Sequence, residues 1–526
     1  MNVLLVNPRF PIAFYSLGEF SSTLGHKTTN PPLGLLTVAA LLPPDWNLRL
    51  VDENVREVSQ EDFDFAHAVF IGAMLPQRDW ALAQVRAAKG RGKFVVAGGP
   101  LANSRPQELL DAGCDLVVRG EAELLGPQLT EAVSARLQGA VIEAQTWPDL
   151  RHSPVPRYDL VNIEDYHAVS IQTSRGCPHN CEFCDVVNLN GHLPRYKTPG
   201  QIITELDALF RLGWRGSVLI CDDNFIGNRD HARTLLHHMI TWSKAHGEPF
   251  VFTAQTSIEL ARSKELIDLM TEANIGEVFI GVETPDVDVL LRCNKGHNVK
   301  SSLADSLRFI NQNGMLIQCS FIIGLDGEKP GAGEKIAAFA QELGMPQVML
   351  NMLVALPGTA LWRRLTEAGR LTEHFDTQDC LYGLSTNVVL ERPLVQVAGE
   401  FVSAITRLYS SESYLDRAFR HIMRMRPTRA ALGLAQGAST RTAEPQARAK
   451  GQAFKEFKLL TAFLWRHGVA SVYRMQFWRQ FLTVALKHPS RFRSYVALCI
   501  KCGIYAEFAK RSHARAVALG LAPATG

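Results

Sequence analysis

The sequence predicts an α/β protein with two successive regions of alternating strands and helices and a helical C-terminal region. Three observations support this. Short apolar, β-branched segments alternate with helical patterns over residues 1–145, the alternation resumes with longer helices from residue 167, and strand patterns fade after about residue 376. Continuous apolar strands separated by helices indicate parallel sheets that are covered on both faces. The 526 residues are enough for about three domains.

The first region, residues 1–145, has the pattern of a doubly wound, Rossmann-like parallel sheet. Its strand segments are NVLLV, NLRLVD, AVFIG, KFVVA and DLVV, and helical segments such as DWALAQVRAAKG lie between them. Such sheets bind ligands at the carboxyl ends of their strands. These ends are predicted at residues 7–11, 72–77, 98–103 and 119–123, where small and polar residues allow a ligand to approach the backbone closely.

Residues 146–166 carry three prolines and little periodicity, which predicts a linker. Residues 167–375 then contain six strand segments, each with a helical pattern after it, and this indicates a partial (βα)6 barrel. Chemistry in such barrels takes place at the C-terminal ends of the strands. The predicted strands are 168–173, 217–221, 250–255, 277–283, 317–323 and 348–354.

Residues 376–526 are predicted to be mainly helical and basic. From Ser411 to Gly526 there are 20 Lys and Arg against 5 Asp and Glu, a net charge of +15, whereas the whole chain carries +3. This asymmetry favours an anionic partner such as a lipid surface or a nucleic acid, and the alternative is a helical cap with a solvated basic face. Residues 433–451 are predicted to form a flexible insert. The CIKC segment at 499–502 is predicted to pack inside a helix.

The composition describes an ordinary globular protein in a reducing compartment. Hydrophobic residues make up 46% of the chain and charged residues 20%, and ten cysteines are too few for a disulfide framework. The N-terminus lacks the pattern of a signal peptide, and no apolar run approaches the roughly 20 residues that span a bilayer. We therefore expect a cytoplasmic location, with thiols available to bind metal.

Three cysteines, Cys177, Cys181 and Cys184, directly follow the first barrel strand in the segment SRGCPHNCEFCD. Thiolates at C-x3-C-x2-C spacing on one loop can hold three irons of a [4Fe–4S] cluster, because soft sulfur ligands favour iron–sulfur sites. The missing fourth thiol leaves one iron open to bind a substrate, much as a catalytic zinc site keeps an open position.

Three alternatives to a cluster remain. A zinc site would need a fourth ligand, for which His179 and His192 are near in sequence. The cysteines could be buried packing residues that share this spacing by coincidence. Redox chemistry through Cys181 and Cys184 would leave Cys177 and the barrel unexplained.

The segment TSRGCPHNCEFC closely resembles the signature of radical S-adenosylmethionine (SAM) enzymes, including the aromatic Phe183 before the last cysteine. The resemblance implies that the open iron chelates the amino and carboxylate groups of SAM. It also implies that an electron from the cluster cleaves the sulfonium to give a 5′-deoxyadenosyl radical, which abstracts hydrogen from an unactivated carbon.

Residues at the ends of the barrel strands are candidates to hold SAM. A carboxylate could bind its ammonium group through charge-assisted hydrogen bonds, and Glu283 is the first choice for this role. Any one of these residues could instead be a strand cap or a core hydrogen-bonding group. The pattern after the fifth strand is matched loosely, because the acid is displaced to Glu328. The candidates are Phe183, Asp222, Asn224, Gln255, Ser257, Glu283 and Gly324.

A doubly wound sheet before the barrel resembles the cobalamin-binding domain of class B radical SAM enzymes, and residues 30–42 and 97–103 resemble stretches that recur there. The D-x-H-x-x-G signature, whose His ligates cobalt, does not occur in residues 1–150, which argues against His ligation rather than against cobalamin. The alternative is a nucleotide-binding or vestigial domain without a corrin. The implied cobalamin-binding residues are Asn7, Gly72, Gly98 and Gly99.

The chain as a whole resembles the hopanoid C-2 methylase-type branch of these enzymes, through residues 221–228, 278–285 and 355–371. The resemblance implies a methyltransferase that acts on an unactivated carbon of a polycyclic lipid, with flavodoxin or ferredoxin as electron donor. A peripheral association with the inner membrane is also expected, and no nucleic-acid partner. The alternatives are a radical ring closure or rearrangement without net methylation, and a sensor without turnover.

Overall fold

The computed structural model describes residues 1–11, 21–22, 25–372, 383–428 and 461–523. The insert expected at 433–451 lies outside these residues. The chain forms two compact units, Met1–Asn228 with Val354–Leu381 and Arg229–Leu353 with Tyr382–Gly526. No helix in the described part of the chain is long and apolar enough to cross a bilayer.

The first unit begins with a six-stranded parallel sheet of strand order 2-1-3-4-5-6. Successive residues of a strand point to opposite faces, so Leu4 and Val6 pack into one core layer and Val3 and Leu5 into the other. The strands are β1 (Asn2–Asn7), β2 (Asn47–Asp52), β3 (Ala68–Gly72), β4 (Phe94–Gly98), β5 (Leu116–Arg119) and β6 (Ala140–Glu143). The helices are α1 (Leu33–Leu41), α2 (Gln60–Phe65), α3 (Arg78–Lys89), α4 (Pro100–Ser104), α5 (Pro106–Asp111) and α6 (Gly126–Ser134).

The predicted linker contains three short 3-10 turns and two buried tyrosines. The Tyr158 hydroxyl donates to the Ser170 carbonyl at 2.7 Å, and the Tyr166 hydroxyl donates to Asp52 Oδ2 at 3.1 Å. Residues 146–166 are therefore packed against the sheet and the strand that follows.

The first unit continues into the cysteine region. The strands β7 (Ala168–Ile171) and β10 (Ser217–Ile220) pair in parallel, and between them β8 (Ser174–Arg175) and β9 (Arg195–Tyr196) form an antiparallel pair. The helices of this part are α7 (Val186–Asn190) and α8 (Pro199–Arg211).

The second unit contains four parallel strands in sequential order. They are β11 (Val251–Thr256), β12 (Ile275–Glu283), β13 (Leu316–Ile323) and β14 (Gln347–Met352). The six predicted strand–helix units of the barrel are thus present, two strands in the first unit and four in the second. The accompanying helices are α9 (Arg229–Ala245), α10 (Lys264–Glu272), α11 (Val287–Arg292), α12 (Leu303–Gln312) and α13 (Ala332–Leu343).

After β14 the described chain forms helices and no named strand, as predicted. Helix α14 (Ala360–Glu367) belongs to the first unit, and the second unit adds α15 (Leu394–Leu408), α16 (Ser411–Arg424), α17 (Arg474–Lys487) and α18 (Phe492–Ala518). Cys499 and Cys502 are fully buried inside α18, where burial raises the pKa of Cys502 to about 11. This confirms that the CIKC segment is a packing element.

Candidate functional site

The cysteine loop, residues 176–185, starts from a backbone position that only glycine fills well. Gly176 has φ +100°, and a Cβ there would lie 2.9–3.1 Å from three carbonyl oxygens of residues 190–193. The Cys177 amide donates to the Gly191 carbonyl at 3.2 Å, and the Cys184 amide donates to the Cys181 carbonyl at 3.1 Å. The backbone thus fixes the first cysteine and the C-x2-C turn.

Two aspartates at the end of β10 fix the start of the loop. Asp222 is fully buried and accepts four hydrogen bonds, from the backbone amides and hydroxyls of Thr173 and Ser174. Asp223 accepts from the Gly176 amide at 2.7 Å and from Asn190 Nδ2 at 3.0 Å. Burial raises the pKa of both carboxyls, although these hydrogen bonds act to lower it.

The predicted contact of Asp222 with SAM is therefore corrected, because its oxygens are engaged by Thr173 and Ser174 and have no exposed surface. Asp222 positions the residues before the cysteines. Asn224, two residues further along the chain, is also buried, and its predicted contact with SAM stays a prediction.

A buried ion-pair network connects the loop to the carboxyl end of the N-terminal sheet. Arg175 pairs with Glu121 and with Glu123, the latter at 2.7 Å, and Arg195 pairs with Glu121 at 2.5 Å. Burial raises the pKa of Glu123, but the Arg175 charge together with hydrogen bonds from Arg175, the backbone and Ser153 outweighs burial, so the pKa lies below its usual value. This network cannot be predicted from local sequence patterns, because its partners are 52 to 74 residues apart.

A second ion pair holds the other side of the loop. Arg364 on α14 donates two hydrogen bonds to Glu182, at 2.9 and 3.1 Å, and the Leu361 amide donates to the Glu182 carbonyl at 2.8 Å. Glu182 lies between Cys181 and Phe183. The loop is thereby fixed from three directions while its three cysteines stay partly exposed.

No group of three or more Cys, His, Asp or Glu side chains among the described residues converges as a single metal ion requires. A [4Fe–4S] cube does not need such convergence, because each thiolate ligates a different iron. Three partly exposed thiols on one fixed loop are a donor set of the right chemistry and number for a cube with one open iron.

A cavity of about 670 Å³ lies at the carboxyl end of the N-terminal sheet. All four residues predicted to bind cobalamin, Asn7, Gly72, Gly98 and Gly99, line it. Gly99 has φ +88°, and a Cβ there would lie 2.9 Å from the Ala73 carbonyl oxygen. The cavity extends to the cysteine region, where its lining includes Gln172, Arg175, Leu189 and Asn190.

Asn7 lines this cavity while its amide is engaged within the protein. Its Nδ2 donates to Asp52 at 2.9 Å and its Oδ1 accepts from Gln77 at 3.0 Å. Burial raises the pKa of Asp52, although hydrogen bonds from Asn54, Asn7 and Tyr166 act to lower it. Asn7 therefore shapes the floor of the cavity.

In the second unit, Glu283 already has a charged partner. Lys295 Nζ donates to Glu283 Oε1 at 2.5 Å, and the Ser320 hydroxyl lies 3.4 Å from Oε2. Glu283 has φ +66° at an irregularity in β12, and a Cβ on Gly281 would overlap its carboxylate. Lys295 thus already supplies one ammonium group to Glu283, and the predicted contact of Glu283 with SAM stays a prediction.

The remaining predicted residues lie at the ends of β11 and β13. Gln255 is exposed and Ser257 is half-buried just after β11. Gly324 has φ +95° and donates its amide to Glu328 Oε2 at 2.7 Å. Burial raises the pKa of Glu328 to about 7, although the Gly324 amide and the Arg392 charge act in the opposite direction.

Two family profiles match the chain. Residues 171–340 match the radical SAM superfamily, and residues 359–516 match a domain of unknown function, DUF4070. The chain is 40% identical to an uncharacterized methyltransferase of Synechocystis over 95% of this chain and 90% of that protein. It is 34% identical to hopanoid C-2 methylase of Rhodopseudomonas palustris over 92% of this chain and 90% of that protein.

Solved structures agree on the fold. The cobalamin-dependent SAM radical enzyme OxsB matches with a TM-score of 0.58 and 14% identity, covering 100% of this chain and 82% of that one. The radical SAM methyltransferase TsrM from Kitasatospora setae matches with a TM-score of 0.57 and 17% identity, covering 88% and 99%. Together with the sequence relatives, these matches place the chain in the radical SAM superfamily, within the methyltransferase family that includes hopanoid C-2 methylase and with the fold of cobalamin-dependent members.

Proposed function

We propose that this chain is a cobalamin-dependent radical SAM methyltransferase that methylates an unactivated carbon of a polycyclic lipid such as a hopanoid. The observation that carries the proposal is the cavity at the carboxyl end of the N-terminal sheet, which is also lined by residues next to the cysteines. A corrin-sized group in this cavity and a cluster on the loop would lie side by side. The near full-length similarity to hopanoid C-2 methylase supports the lipid substrate.

Cys177, Cys181 and Cys184 are the residues that we propose hold the [4Fe–4S] cluster. When bound, the cluster would supply the electron for reductive cleavage of SAM, and cobalamin would supply the methyl group. The chain's own contribution is to keep the three thiols in place. Asp222, Asp223 and the ion pairs of Arg175 and Glu182 do this, since they fix the loop backbone and leave the thiols partly exposed.

SAM is proposed to be held by groups at the ends of the barrel strands. Glu283 retains Oε2 as an acceptor while Lys295 neutralises Oε1, and Gln255 offers an exposed amide. An ammonium group of SAM would complete the coordination of Glu283 by a charge-assisted hydrogen bond. Asn224, Ser257, Phe183 and Gly324 complete the proposed contacts.

Cobalamin is proposed to bind against Asn7, Gly72, Gly98 and Gly99. The glycines leave room for a ligand to approach the backbone. A Cβ at Gly99 would overlap the Ala73 carbonyl oxygen, and a Cβ at Gly72 would overlap the Leu35 side chain, which also lines the cavity. We propose that cobalamin binds here without a His ligand, because the D-x-H-x-x-G signature does not occur in residues 1–150. A reduced flavodoxin or ferredoxin is the proposed electron donor.

The test is a single-turnover assay under strictly anaerobic conditions. Reconstituted protein receives cobalamin, a strong reductant, a hopanoid and SAM with a deuterated methyl group. We expect 5′-deoxyadenosine, and a hopanoid whose mass has increased by one labelled methyl group. Labelled SAM that yields 5′-deoxyadenosine and a cyclised or rearranged product without label would instead establish chemistry without net methylation.

Two variants and one physiological measurement sharpen this test. Cys181→Ala should abolish formation of 5′-deoxyadenosine, whereas Cys293→Ala, a buried cysteine of the second unit, should retain it. Deletion of the gene in its host should remove a methylated lipid from the lipid profile. An unchanged hopanoid profile would assign the enzyme to another substrate class.

A further inference from the structure

Six apolar side chains within residues 465–486 are exposed to solvent. Val472 is 86% exposed, Leu486 80% and Met475 78%, which places them among the most exposed large apolar residues in the described part of the chain. Isolated exposed apolar side chains are normal, but a group within one short segment indicates an interaction site. This group, here called the apolar face, consists of Trp465, Val469, Val472, Met475, Leu482 and Leu486.

Helical geometry aligns part of this face. Met475, Leu482 and Leu486 lie on α17 at spacings of seven and four residues, so they share one side of the helix. The opposite side carries the buried residues Phe477 and Val484. Helix α17 therefore buries apolar residues on one side and exposes three apolar residues on the other, where Arg479 lies between Met475 and Leu482.

The packing beneath α17 holds the apolar face in a fixed place. The Phe477 ring lies 5.6 Å from that of Phe463 and 5.2 Å from that of Phe481, measured between centroids. Trp478 Nε1 donates to the Gly468 carbonyl at 2.9 Å. These contacts join α17 to the helical residues 461–468, so the outward side chains belong to a folded surface and not to a frayed end.

The charge around the apolar face has one sign. Residues 461–506 contain seven Lys and Arg and no Asp or Glu. Arg474, Arg479 and Lys487 are exposed on α17, next to Met475, Leu482 and Leu486. None of these three cations forms an ion pair with a carboxylate among the residues that the structure describes.

We propose that the apolar face docks this enzyme on an anionic lipid bilayer, with α17 lying in the headgroup region. Interfacial helices bury an apolar side in the acyl boundary while basic side chains contact anionic headgroups. A second copy of the chain would bring like charges together at the contact, and a nucleic acid would not cover apolar side chains. The proposal is independent of the lipid substrate, because docking needs no turnover.

The test is co-sedimentation of the full chain with vesicles. Vesicles of phosphatidylcholine with about one third phosphatidylglycerol should bind the protein, and the binding should weaken steeply with salt because screening reduces headgroup attraction. Vesicles of phosphatidylcholine alone should bind it far less. The joint change Arg474→Gln, Arg479→Gln and Lys487→Gln should reduce binding to anionic vesicles by about a hundredfold.

A second variant tests the apolar contribution. Val472→Ser, Met475→Ser and Leu486→Ser together should lower vesicle binding by about tenfold or more. The matched control is Val287→Ser, Leu291→Ser and Val395→Ser, three half-exposed residues of the same unit outside the apolar face, which should bind like the parent. Circular dichroism should show unchanged folding, since all these side chains are exposed.

Three results would overturn the proposal. The first is equal binding to neutral and anionic vesicles. The second is binding that neither triple variant weakens. The third is light scattering that shows a dimer which the serine variant dissociates, without vesicle binding, because this would assign the apolar face to a second copy.

Discussion

Gly176 is the residue on which the shape of the cysteine loop depends most directly. Its φ of +100° disfavours any other residue, and the carbonyl oxygens of Asn190, Gly191 and Leu193 close around the place of a Cβ. A methyl group there would push the loop away from Asp223, which accepts the Gly176 amide. The glycine therefore belongs to the site although it has no functional group.

We expect Gly176→Ala to lose most of its iron and sulfide during desalting and to produce little 5′-deoxyadenosine. The cost combines about 1 kcal/mol of backbone strain with the overlap against carbonyl oxygens, roughly 2–4 kcal/mol in all. Iron and sulfide analysis after anaerobic reconstitution measures the effect. Gly139→Ala is the control, because Gly139 also has a positive φ, +64°, but nothing lies near its Cβ position. Equal losses in the two variants would contradict the steric argument.

The buried Glu283–Lys295 pair gives a second prediction at this scale. Lys295→Met should destabilise the second unit by about 3–5 kcal/mol, because it leaves a buried carboxylate without its charge partner. Adding Glu283→Gln should recover a large part of that loss, since no charge then remains to be desolvated. Denaturant melts of the single and double variants test this. A double variant that is less stable than Lys295→Met would contradict the prediction that the unpaired carboxylate causes the loss.

Residue types at the site could be predicted from the sequence better than their partners. The cysteines follow from their spacing alone, and the glycines that line the cavity follow from strand ends. The sequence predicts that Asp222 and Glu283 contact SAM, because carboxylates suit an ammonium group. The partners that the structure gives them, Thr173 for Asp222 and Lys295 for Glu283 Oε1, come from tertiary packing that spacing does not encode.

At the scale of elements, helix α8 directly follows β9 and begins with a capping box. The Thr198 hydroxyl accepts from the Gln201 amide at 3.2 Å, and the Gln201 side chain accepts from the Thr198 amide at 2.9 Å. The first backbone amides of a helix have no acceptor within the helix, so a cap that supplies an acceptor stabilises the helix. Gln201 also donates to the Leu150 and Ser153 carbonyls, so the cap joins the linker to α8.

We expect Thr198→Ala to destabilise the protein by about 1 kcal/mol. Thermal unfolding of the first unit, followed by circular dichroism, measures the loss. Thr204→Ala is the matched control, because Thr204 lies inside α8 itself, is exposed and its hydroxyl donates only to the Gly200 carbonyl. That change should be near neutral or slightly stabilising, since alanine has the higher helix propensity. A control that loses as much as Thr198→Ala would show that capping is not the cause.

Element type and order could be predicted from periodicity, and the exceptions have physical reasons. The edge strand β6 was missed because only one of its four residues, Ile142, is buried, so it lacks an apolar run. The linker was expected to be irregular, and it is, but its two buried tyrosines tie it down through hydroxyl groups that proline-rich composition does not reveal. The cavity depends on how loops of several elements meet, which no single segment encodes.

At the scale of the whole molecule, the comparisons confirm the family that the cysteine signature and the strand pattern predicted. The predicted domain boundaries at 145, 166 and 375 stay predictions. The charge asymmetry concerns the whole chain. Residues 411–526 carry a net charge of +15, and residues 1–410 therefore carry about −12, because the whole chain carries +3. One buried histidine of this basic region, His421, is expected to make the stability of the second unit depend on pH.

His421 lies on α16 and is completely buried. Its Nδ1 lies 3.1 Å from the Gly344 carbonyl, and its Nε2 accepts from the Ile317 amide at 3.3 Å. The neutral ring with its proton on Nδ1 satisfies both contacts, whereas a second proton on Nε2 would face the Ile317 N–H. Burial lowers its pKa from 6.5 to about 4, and the Arg424 charge acts in the same direction.

We therefore expect the second unit to lose stability as the pH falls from about 6.5 to about 4. In this window His421 is protonated in the unfolded chain but stays neutral in the folded chain. Acid therefore lowers the free energy of unfolding, by an amount on the order of 3 kcal/mol. Denaturant melts at several pH values measure the slope. His421→Gln keeps one donor and one acceptor but does not titrate, so its slope should be shallower. His467, whose pKa burial also lowers to about 4, should supply a similar slope that remains in this variant. A His421→Gln protein with the parent's full pH dependence would show that the carboxyl groups, and not this imidazole, govern acid unfolding.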